Sequence, residues 1–234
     1  MGARVRTSKT GIGLLLLLAF VAGALFHRTG VIQKVRAKIW PPATLYDGAA
    51  DSVLLAARRA VQAEFPATAD NVMVGDSITE QMNWPAAFPN ASVANLGISH
   101  DTTAGVLARI DTILGSKARV VFLAIGINDL RSGVPLDVML ERHAEIRRRI
   151  ASAGARIVVL SLVTRQLQVR DTVTSANKAL AQQCKPAACA FVDLSPRLME
   201  NGMLRSAHTH DDVHLTAPAY RIWVDAIAAF VVTR

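Results

Sequence analysis

The sequence predicts an α/β fold, a three-layer α/β/α sandwich built on a parallel sheet of about five strands. Short apolar runs alternate five times with segments in which apolar residues recur at helical spacing, a pattern typical of strand-helix units. The apolar runs are continuous rather than alternating, as strands are when helices cover both faces of a sheet. With 234 residues, 51% of them hydrophobic and 19% charged, the chain is long enough to bury such a core.

The individual elements follow from the apolar runs and from local helix signals. Gly154 ends one predicted helix, and Thr216, two residues before Pro218, caps the last one. The predicted strands are residues 71–75, 91–97, 118–126, 155–163 and 188–194. The predicted helices are residues 51–65, 102–114, 134–154, 172–184 and 216–232.

The basic charge of the chain is concentrated near its start. The formal net charge is +8, but seven of the 26 Lys and Arg residues lie in the first 40 positions, which contain no Asp or Glu. The remainder has 19 basic and 18 acidic residues. This distribution favours contact with a membrane surface over binding to nucleic acid. The three arginines at 147–149, with Glu141 and Glu145 nearby, indicate a solvated helix face.

An unbroken apolar run, residues 11–26, lies between basic segments. As a helix it would be about 24 Å long, slightly shorter than the roughly 30 Å hydrocarbon core of a bilayer. The run predicts a signal anchor or a cleaved signal peptide, with a buried helix as a third alternative. Small residues at 22–24 fit cleavage, whereas the basic stretch that follows favours a retained anchor. Both flanks are basic, so the orientation across the membrane stays open.

Three segments result from this pattern. The prolines at 41 and 42 interrupt the basic stretch and mark a linker. The predicted organisation is a signal anchor or signal peptide at residues 1–26, a basic linker at residues 27–46 and one α/β domain at residues 47–234.

Cys184 and Cys189 are the two cysteines of the chain. Their spacing, with Pro186 between them, favours a disulfide that closes a short loop in an oxidising compartment. Two reduced, partly buried thiols are the alternative. Because there is no CxxC pair, the sequence excludes a zinc ribbon.

Polar residues and glycines follow three of the predicted strands and precede the last helix. In a parallel sheet covered by helices, ligands bind at the carboxyl ends of the strands, so these residues are expected at one edge. Nucleophile, amide donor, base and carboxylate types are all present, as acyl transfer requires. They lie at residues 75–77, 97–100, 126–129 and 208–216.

Ser77 has two interpretations. With Glu80 it forms S-x-x-E, a capping box that would explain the serine by helix initiation alone. It also lies on a predicted strand-to-helix turn, where a hydroxyl can face the cleft as a nucleophile. The presence of the other polar residues at the same edge favours the nucleophile.

Four ordered motifs then carry a family resemblance: GDSIT from residue 75, NLGISHDTT from 95, GIND from 126 and DDVHL from 211. In this order and spacing they resemble the blocks of the SGNH (GDSL-type) hydrolase family. The match covers about residues 70–232 and leaves out the N-terminal 45 residues. The resemblance implies a flavodoxin-like α/β/α sandwich and a serine hydrolase that acts on esters without a metal or cofactor.

The resemblance implies a role for individual residues. Ser77 is the expected nucleophile, His214 the base and Asp211 the carboxylate that orients the imidazole. The backbone amides of Ser77 and Gly97, with the side-chain amide of Asn128, form the expected oxyanion hole. A serine hydroxyl needs an imidazole to take its proton, and the tetrahedral oxyanion needs donors aimed at it in advance.

Two positions depart from the family pattern. His100 stands where a second glycine is usual, which places a bulky titratable group near the mouth of the site. Asp212 also stands where glycine is common, so either Asp211 or Asp212 can reach His214; the D-x-x-H spacing favours Asp211. The motifs look most like the branch with platelet-activating-factor acetylhydrolase-like and small-acyl esterases, which indicates short acyl groups.

A metal-dependent hydrolase is the sharpest alternative. His208, His210 and Asp212 form an H-x-H-x-D pattern close to His214. Val213 stands where such a motif would continue with histidine, and the alternative interpretation is loop histidines at the rim of the cleft.

Two further alternatives keep the fold. An O-acyltransferase would pass the acyl group to a sugar hydroxyl from the same site, and a non-catalytic binding module would leave the full set of catalytic residue types unexplained. The resulting prediction is a serine esterase, membrane-anchored or exported, with its domain outside the cytoplasm, in the periplasm if the source is bacterial. Its expected partners are a small-molecule, glycan or lipid acyl ester and the membrane, but not nucleic acid; no partner protein is identifiable.

Overall fold

The central sheet of the computed structural model has five strands, β1 (Asn71–Gly75), β2 (Val93–Asn95), β3 (Val120–Ala124), β4 (Arg156–Leu160) and β5 (Cys189–Val192). They pair in the order β2-β1-β3-β4-β5, and every pair is parallel. The structure describes residues 48–184 and 189–233. This strand order is the flavodoxin-like one, which reverses direction between β1 and β3 and places a binding crevice there. The predicted fold class is confirmed.

The helices lie on both faces of this sheet. Their bounds are α1 (Gly48–Glu64), α2 (Ser77–Glu80), α3 (Trp84–Ala87), α4 (Thr103–Ala108), α5 (Ile110–Gly115), α6 (Ile127–Arg131), α7 (Leu136–Ser152), α8 (Arg170–Gln183), α9 (Ser195–Leu198) and α10 (Ala217–Ile227). A short antiparallel pair and two 3₁₀ turns complete the described part of the chain: β6 (Met199–Glu200), β7 (Met203–Leu204), Ser206–His208 and Ala228–Phe230.

Two hydrophobic cores, one on each face of the sheet, explain why the strands are continuously apolar. Val72 and Val74 of β1 belong to a core with Ile146 of α7, whereas Met73, between them, belongs to a second core with Trp223 of α10. Successive strand side chains point to opposite faces, so every position of β1 is buried. This arrangement is the three-layer sandwich that the continuous apolar runs predict.

The helix predicted at residues 102–114 is two helices. Arg109 interrupts it with φ −114° and ψ 20°, between α4 and α5. The Arg109 side chain is 3% exposed and donates from Nε to the Asp101 carboxylate at 2.8 Å. An amphipathic pattern alone cannot reveal such a break, because the ion pair that turns the side chain inward joins residues from different elements.

The last helix is also shorter than predicted. α10 ends at Ile227 and continues only as a 3₁₀ turn to Phe230. Thr216 occupies the N-cap position, as expected, but its hydroxyl makes no capping bond and donates instead to the Ala207 carbonyl at 2.9 Å. The threonine therefore ties the helix start to the loop that precedes it.

A disulfide joins Cys184 at the end of α8 to Cys189 at the start of β5, as the sequence predicts. The predicted anchor or signal peptide at 1–26 and the linker at 27–46 lie outside the described residues, so both stay predictions. Within residues 48–184 and 189–233, no helix has the length and apolar content needed to span a bilayer.

Candidate active site

The turn after β1 places Ser77 at the carboxyl edge of the sheet. Gly75 ends the strand where a Cβ would lie 2.5 Å from the Ala124 carbonyl oxygen, so only glycine fits. Asp76 caps α2 by accepting from the Ile78 N–H at 3.0 Å, and Ser77 is the first helical residue. The capping-box interpretation of Ser77 is therefore wrong, because Asp76 supplies the cap. Glu80 does not reach back to this turn but accepts from the Ser99 N–H at 2.8 Å.

Side chains from other elements hold the short helix α2 in place. Tyr220 of α10 donates its hydroxyl to the Ile78 carbonyl at 2.6 Å, and Trp84 donates from Nε1 to the Thr79 carbonyl at 2.9 Å. The Trp84 and Trp223 rings meet edge to face at 5.2 Å. Since a four-residue helix has few hydrogen bonds of its own, these contacts fix the backbone that carries the candidate nucleophile.

His214 contacts Ser77 across the site. The imidazole Nε2 lies 2.9 Å from the Ser77 Oγ, and the Nδ1 lies 2.6 Å from the Asp211 Oδ2. An ionised carboxylate only accepts hydrogen bonds, so Nδ1–H donates to Asp211 and Nε2 accepts from the serine hydroxyl. Hydroxyl, imidazole and carboxylate thus form one continuous hydrogen-bonded chain.

Asp211 is held by three donors. Its Oδ1 accepts from the backbone N–H groups of Val213, at 3.1 Å, and His214, at 2.8 Å, while its Oδ2 accepts from the imidazole. Burial opposes ionisation, but these hydrogen bonds outweigh it and lower the pKa of Asp211 to about 2. The carboxyl is therefore ionised near neutral pH and fixes the tautomer of His214.

Asp212 pairs with Arg165 and not with His214. Its backbone is left-handed, with φ 70°, and its Oδ1 pairs with the Arg165 Nε at 3.2 Å. The structure therefore brings Asp211, and not Asp212, to the imidazole. The positive φ also explains why glycine is usual at this position, because left-handed backbone is strained for residues with a Cβ.

Asn128 lies in the first turn of α6, after the end of β3. Its Nδ2 donates one N–H to the Asp101 carbonyl at 3.0 Å, and its Oδ1 accepts from Arg131 at 3.4 Å. An amide nitrogen carries two donors, so this arrangement uses one of them and sets the direction of the other.

Gly97 differs from its predicted role. Its N–H donates to the Asn95 Oδ1 at 2.9 Å, which removes this amide as an oxyanion donor. A Cβ at Gly97 would lie 2.5 Å from the Glu80 nitrogen, so the glycine is required by the close approach of the loop to α2. The Gly97 N–H is used structurally because the half-buried side chain of Asn95, the last residue of β2, accepts it.

His100, in the same loop, has φ 65°. This left-handed conformation explains why the family usually has glycine here, as at Asp212. Histidine is among the residues that adopt it most readily after glycine, asparagine and aspartate. The departure from the family pattern therefore keeps the backbone shape and adds a side chain near the site.

Asn95 and Asp101 support the site although the sequence analysis assigned them no role. The two N–H groups of the Asn95 Nδ2 are shared among three carbonyl oxygens at 3.0–3.1 Å, those of Thr79 and Glu80 in α2 and of Met82 just after it. Asp101 is fully buried. The sequence does mark both residues: Asn95 is a polar residue that ends an apolar strand, and Asp101 is an aspartate just before a helix.

Asp76 directly precedes the candidate nucleophile in the sequence. It is 2% exposed, and burial raises its pKa to about 7 although the Ile78 N–H bond opposes the rise. It also lines a cavity of about 20 Å³ beside Ser161 and Trp223. A cavity of this size has room for roughly one water molecule.

The metal hypothesis gains no support from the geometry. His208 uses Nδ1 to donate to the Leu198 carbonyl at 3.0 Å, and Asp212 pairs with Arg165. In the part of the chain that the structure describes, no three His, Cys, Asp or Glu side chains are grouped closely enough to hold a metal ion. His208, His210 and Asp212 are therefore not brought together as ligands.

Similar solved structures share this fold. The chain matches a protein described as a platelet activating factor from Streptococcus pneumonia with 19% identity and a TM-score of 0.67, covering 86% of this chain and 98% of that one. It also matches a GDSL-like lipase from Bacteroides thetaiotaomicron with 20% identity and a TM-score of 0.64, covering 75% of this chain and 97% of that one. An acetylxylan esterase from Geobacillus stearothermophilus matches with 19% identity and a TM-score of 0.60, covering 70% of this chain and 94% of that one. At these identities the likeness shows the fold.

The family itself is shown by sequence. No curated protein matches the chain significantly. The GDSL-like lipase/acylhydrolase family model matches residues 73–222, which is more than half of the chain and includes all four motifs. The chain therefore belongs to the GDSL-like lipase/acylhydrolase (SGNH) family and is a carboxylic ester hydrolase.

Proposed function

We propose that the protein is a serine esterase that cleaves short acyl esters, acetyl esters foremost, through an acyl-enzyme on Ser77. The observation that carries the proposal is the hydrogen-bonded chain from Ser77 Oγ to His214 Nε2, at 2.9 Å, and from His214 Nδ1 to Asp211, at 2.6 Å. Because Asp211 is ionised and accepts a hydrogen bond from Nδ1–H of His214, the proton stays on Nδ1. The Nε2 lone pair then faces the serine hydroxyl.

In the first step Ser77 Oγ attacks the ester carbonyl carbon while its proton passes to His214 Nε2. The tetrahedral intermediate collapses when the carbon–oxygen bond to the alcohol breaks and His214 returns the proton to the leaving alkoxide. A water molecule, deprotonated by the same imidazole, then attacks the acyl-enzyme, releases the carboxylic acid and restores Ser77. Asp211 stabilises the imidazolium in both halves of the reaction.

We propose that three hydrogen-bond donors stabilise the oxyanion: the Ser77 N–H, the second Nδ2 proton of Asn128 and the backbone N–H of His100. The last of these replaces the Gly97 N–H. The early N–H groups of a helix have no partner within it, and Ser77 opens α2. His100 is left-handed and precedes Asp101, whose carbonyl holds Asn128. A left-handed residue turns the chain so that neighbouring N–H groups can converge on an anion.

The proposed preference for short acyl groups has two supports. The GDSITE and GISxDTT motifs are most similar to the small-acyl branch of the family, and one structural relative is an acetylxylan esterase. An acetylated glycan or a small acetyl ester is therefore the proposed substrate class.

The test is hydrolysis of p-nitrophenyl acetate, butyrate and octanoate by the full-length chain, with Ser77→Ala as the matched variant and EDTA in parallel. We expect rates that fall with chain length, survive EDTA and drop to background in Ser77→Ala. Equal rates for wild type and Ser77→Ala would refute the nucleophile, and rates that rise towards octanoate would refute the short-acyl preference.

An O-acyltransferase would use the same acyl-enzyme with a sugar hydroxyl in place of water. Adding xylo-oligosaccharides or glucosamine oligomers to the acetyl ester assay separates the two reactions. An esterase releases acetate at an unchanged rate, whereas a transferase produces acetylated sugar at the expense of free acetate.

We further propose that the segment at residues 1–26 places the enzyme at a membrane, with its domain outside the cytoplasm. The apolar run with basic flanks supports this, and so does the Cys184–Cys189 disulfide, since disulfides persist mainly in oxidising compartments. The full-length chain should remain in the membrane pellet after a carbonate wash. Recovery of the intact chain in the supernatant would contradict the proposal.

A further inference from the structure

Helix α1 (Gly48–Glu64) lies before the family-matched segment, residues 73–222, yet it contacts the loop at residues 95–103. Val53 and Leu54 of α1 are exposed by 69% and 64%, so these two apolar side chains do not pack on the domain. The polar contacts of α1 come from one face of the helix. Arg59 pairs with Asp101 of the loop, Arg58 pairs with Glu80 of α2, and Gln62 accepts from Arg109, between α4 and α5.

One end of the loop is held through Glu80. The Arg58 NH2 lies 3.1 Å from the Glu80 Oε1. The other carboxylate oxygen, Oε2, accepts from the Ser99 N–H at 2.8 Å and from the Ser99 hydroxyl. Arg58 thus orients the carboxylate that fixes Ser99, directly before His100.

The other end of the loop is held through Asp101. This carboxylate has no exposed surface and accepts from the Arg59 NH2 and the Arg109 Nε, both at 2.8 Å. Arg109 also donates from NH1 to the Gln62 Oε1 of α1 at 3.0 Å. A buried carboxylate is costly unless its charge is paired and hydrogen-bonded, and α1 supplies one of its two cations.

The packing around Asp101 leaves little freedom. A Cβ at Gly105 would overlap the Asp101 carboxylate and the Arg59 guanidinium. Because the side chain of Asp101 is fixed by Arg59 and Arg109, its carbonyl is fixed as well. That carbonyl accepts from the Asn128 Nδ2 at 3.0 Å and so sets the direction of the amide.

From these contacts we infer that α1 is a positioning element of the active site, with Arg59 as its main positioning residue and Arg58 as a second one. Arg59 acts through Asp101 on Asn128, and Arg58 acts through Glu80 on Ser99. Both arginines therefore hold the backbone on either side of His100 in the geometry that stabilises the oxyanion. The inference rests on the proposed function, because it assigns Asn128 to the oxyanion hole.

The test uses the full-length chain with p-nitrophenyl acetate and compares Arg59→Gln with wild type. A small displacement of an oxyanion donor weakens binding of the transition state more than binding of the ester. We expect kcat to fall by about 10-fold with KM unchanged, within the roughly 10²-fold known for misplacements of about 1 Å. A tetrahedral boronic acid inhibitor should bind more weakly by the same factor as kcat/KM falls.

Three matched variants accompany Arg59→Gln. Arg59→Lys keeps the charge and should recover part of the lost kcat. Arg58→Gln removes the more exposed contact, 65% exposed against 29% for Arg59, and should lose less. Arg148→Gln removes an exposed arginine that pairs with Glu145 on α7, far along the chain, and should behave as wild type.

Rates are divided by the folded fraction from near-UV circular dichroism, so that loss of folding is not counted as loss of positioning. A normal corrected kcat in Arg59→Gln overturns the inference, and so does an equal loss in Arg148→Gln. If Ser77→Ala is as active as wild type, the proposed function itself fails. Inactive Ser77→Ala with fully active Arg59→Gln would refute only the role of α1.

Discussion

The two regions that meet in the active site are held in different ways. The turn at residues 75–80 lies in the core, with Ser77 and Asp76 exposed by 8% and 2%, and buried aromatic side chains fix its carbonyls. The loop at residues 208–216 lies at the surface, where the Asp211 side chain is 53% exposed and His214 is 21% exposed. The nucleophile is thus placed by packing, and the base by hydrogen bonds within its own loop.

The carboxyls of the two regions show what this difference does to charge. Burial with one backbone donor raises the pKa of Asp76 to about 7, whereas three donors lower that of Asp211 to about 2 despite partial burial. An aspartate is therefore only partly ionised next to Ser77, at Asp76, but fully ionised next to His214, at Asp211, near neutral pH. Full burial raises the pKa of Asp76, whereas Asp211 is only partly buried and accepts three hydrogen bonds, one of them from the imidazole that it orients.

We expect the greatest loss of activity from a substitution in the exposed loop, at Asp211. Asp211→Asn removes the negative charge and allows the wrong imidazole tautomer, so kcat should fall by a factor on the order of 10³, less than the roughly 10⁴ known for a buried aspartate. Asp212→Asn is the matched control, because Asp212 pairs with Arg165 instead. Initial rates with p-nitrophenyl acetate measure both. A larger loss in Asp212→Asn would reassign the carboxylate.

The second prediction concerns the buried region and the stability of the fold. The pKa of Asp76 is higher in the folded chain, about 7, than its ordinary value of 3.8, so the folded state binds the proton more tightly. Its contribution to stability is complete below about pH 4 and is lost as the pH rises to about 7, on the order of 4 kcal/mol. Asp76→Asn cannot titrate and still offers an acceptor to the Ile78 N–H.

The measurement is the free energy of unfolding in urea for both chains from pH 4 to pH 8. The wild-type value minus the Asp76→Asn value should decrease through this range and then stay constant. A difference that does not change with pH would show that Asp76 is ionised at its ordinary pKa in the folded chain.

The smallest effect is expected from the backbone of the exposed loop. Asp212 has φ 70°, which costs a residue with a Cβ roughly 1–2 kcal/mol. Asp212→Gly relieves this strain but loses an exposed ion pair worth about 0–1 kcal/mol. We expect a gain of up to about 1 kcal/mol in the free energy of unfolding with little change in kcat. A net loss would show that the Arg165 contact outweighs the strain.

The strands and the motif residues could be predicted from the sequence because each depends on local pattern. Continuous apolar runs predicted five strands, and a parallel sheet collects the residues after its strands at one edge. The sequence therefore predicts that Ser77, His214 and Asp211 lie near one another, and the structure brings them within hydrogen-bonding distance.

The details that the sequence could not give depend on which polar partner each group meets in the folded chain. Asn95 takes the Gly97 N–H, and Arg109 leaves the helix pattern to pair with Asp101. The interpretation of Ser77 as the N-cap of a capping box is wrong because Asp76, one residue earlier, supplies the cap and Glu80 binds Ser99. In each case the folded backbone determines which partner a polar side chain meets, and periodicity and motif spacing do not encode this.

The most direct test of the central claim is covalent labelling of the full-length chain with a fluorophosphonate, followed by peptide mass spectrometry. We expect a single phosphonylated residue, Ser77, with slower labelling in Asp211→Asn and none at this position in Ser77→Ala. Labelling at a different residue, or a wild-type chain that stays unlabelled while it hydrolyses p-nitrophenyl acetate, would contradict the assignment of Ser77 as the nucleophile.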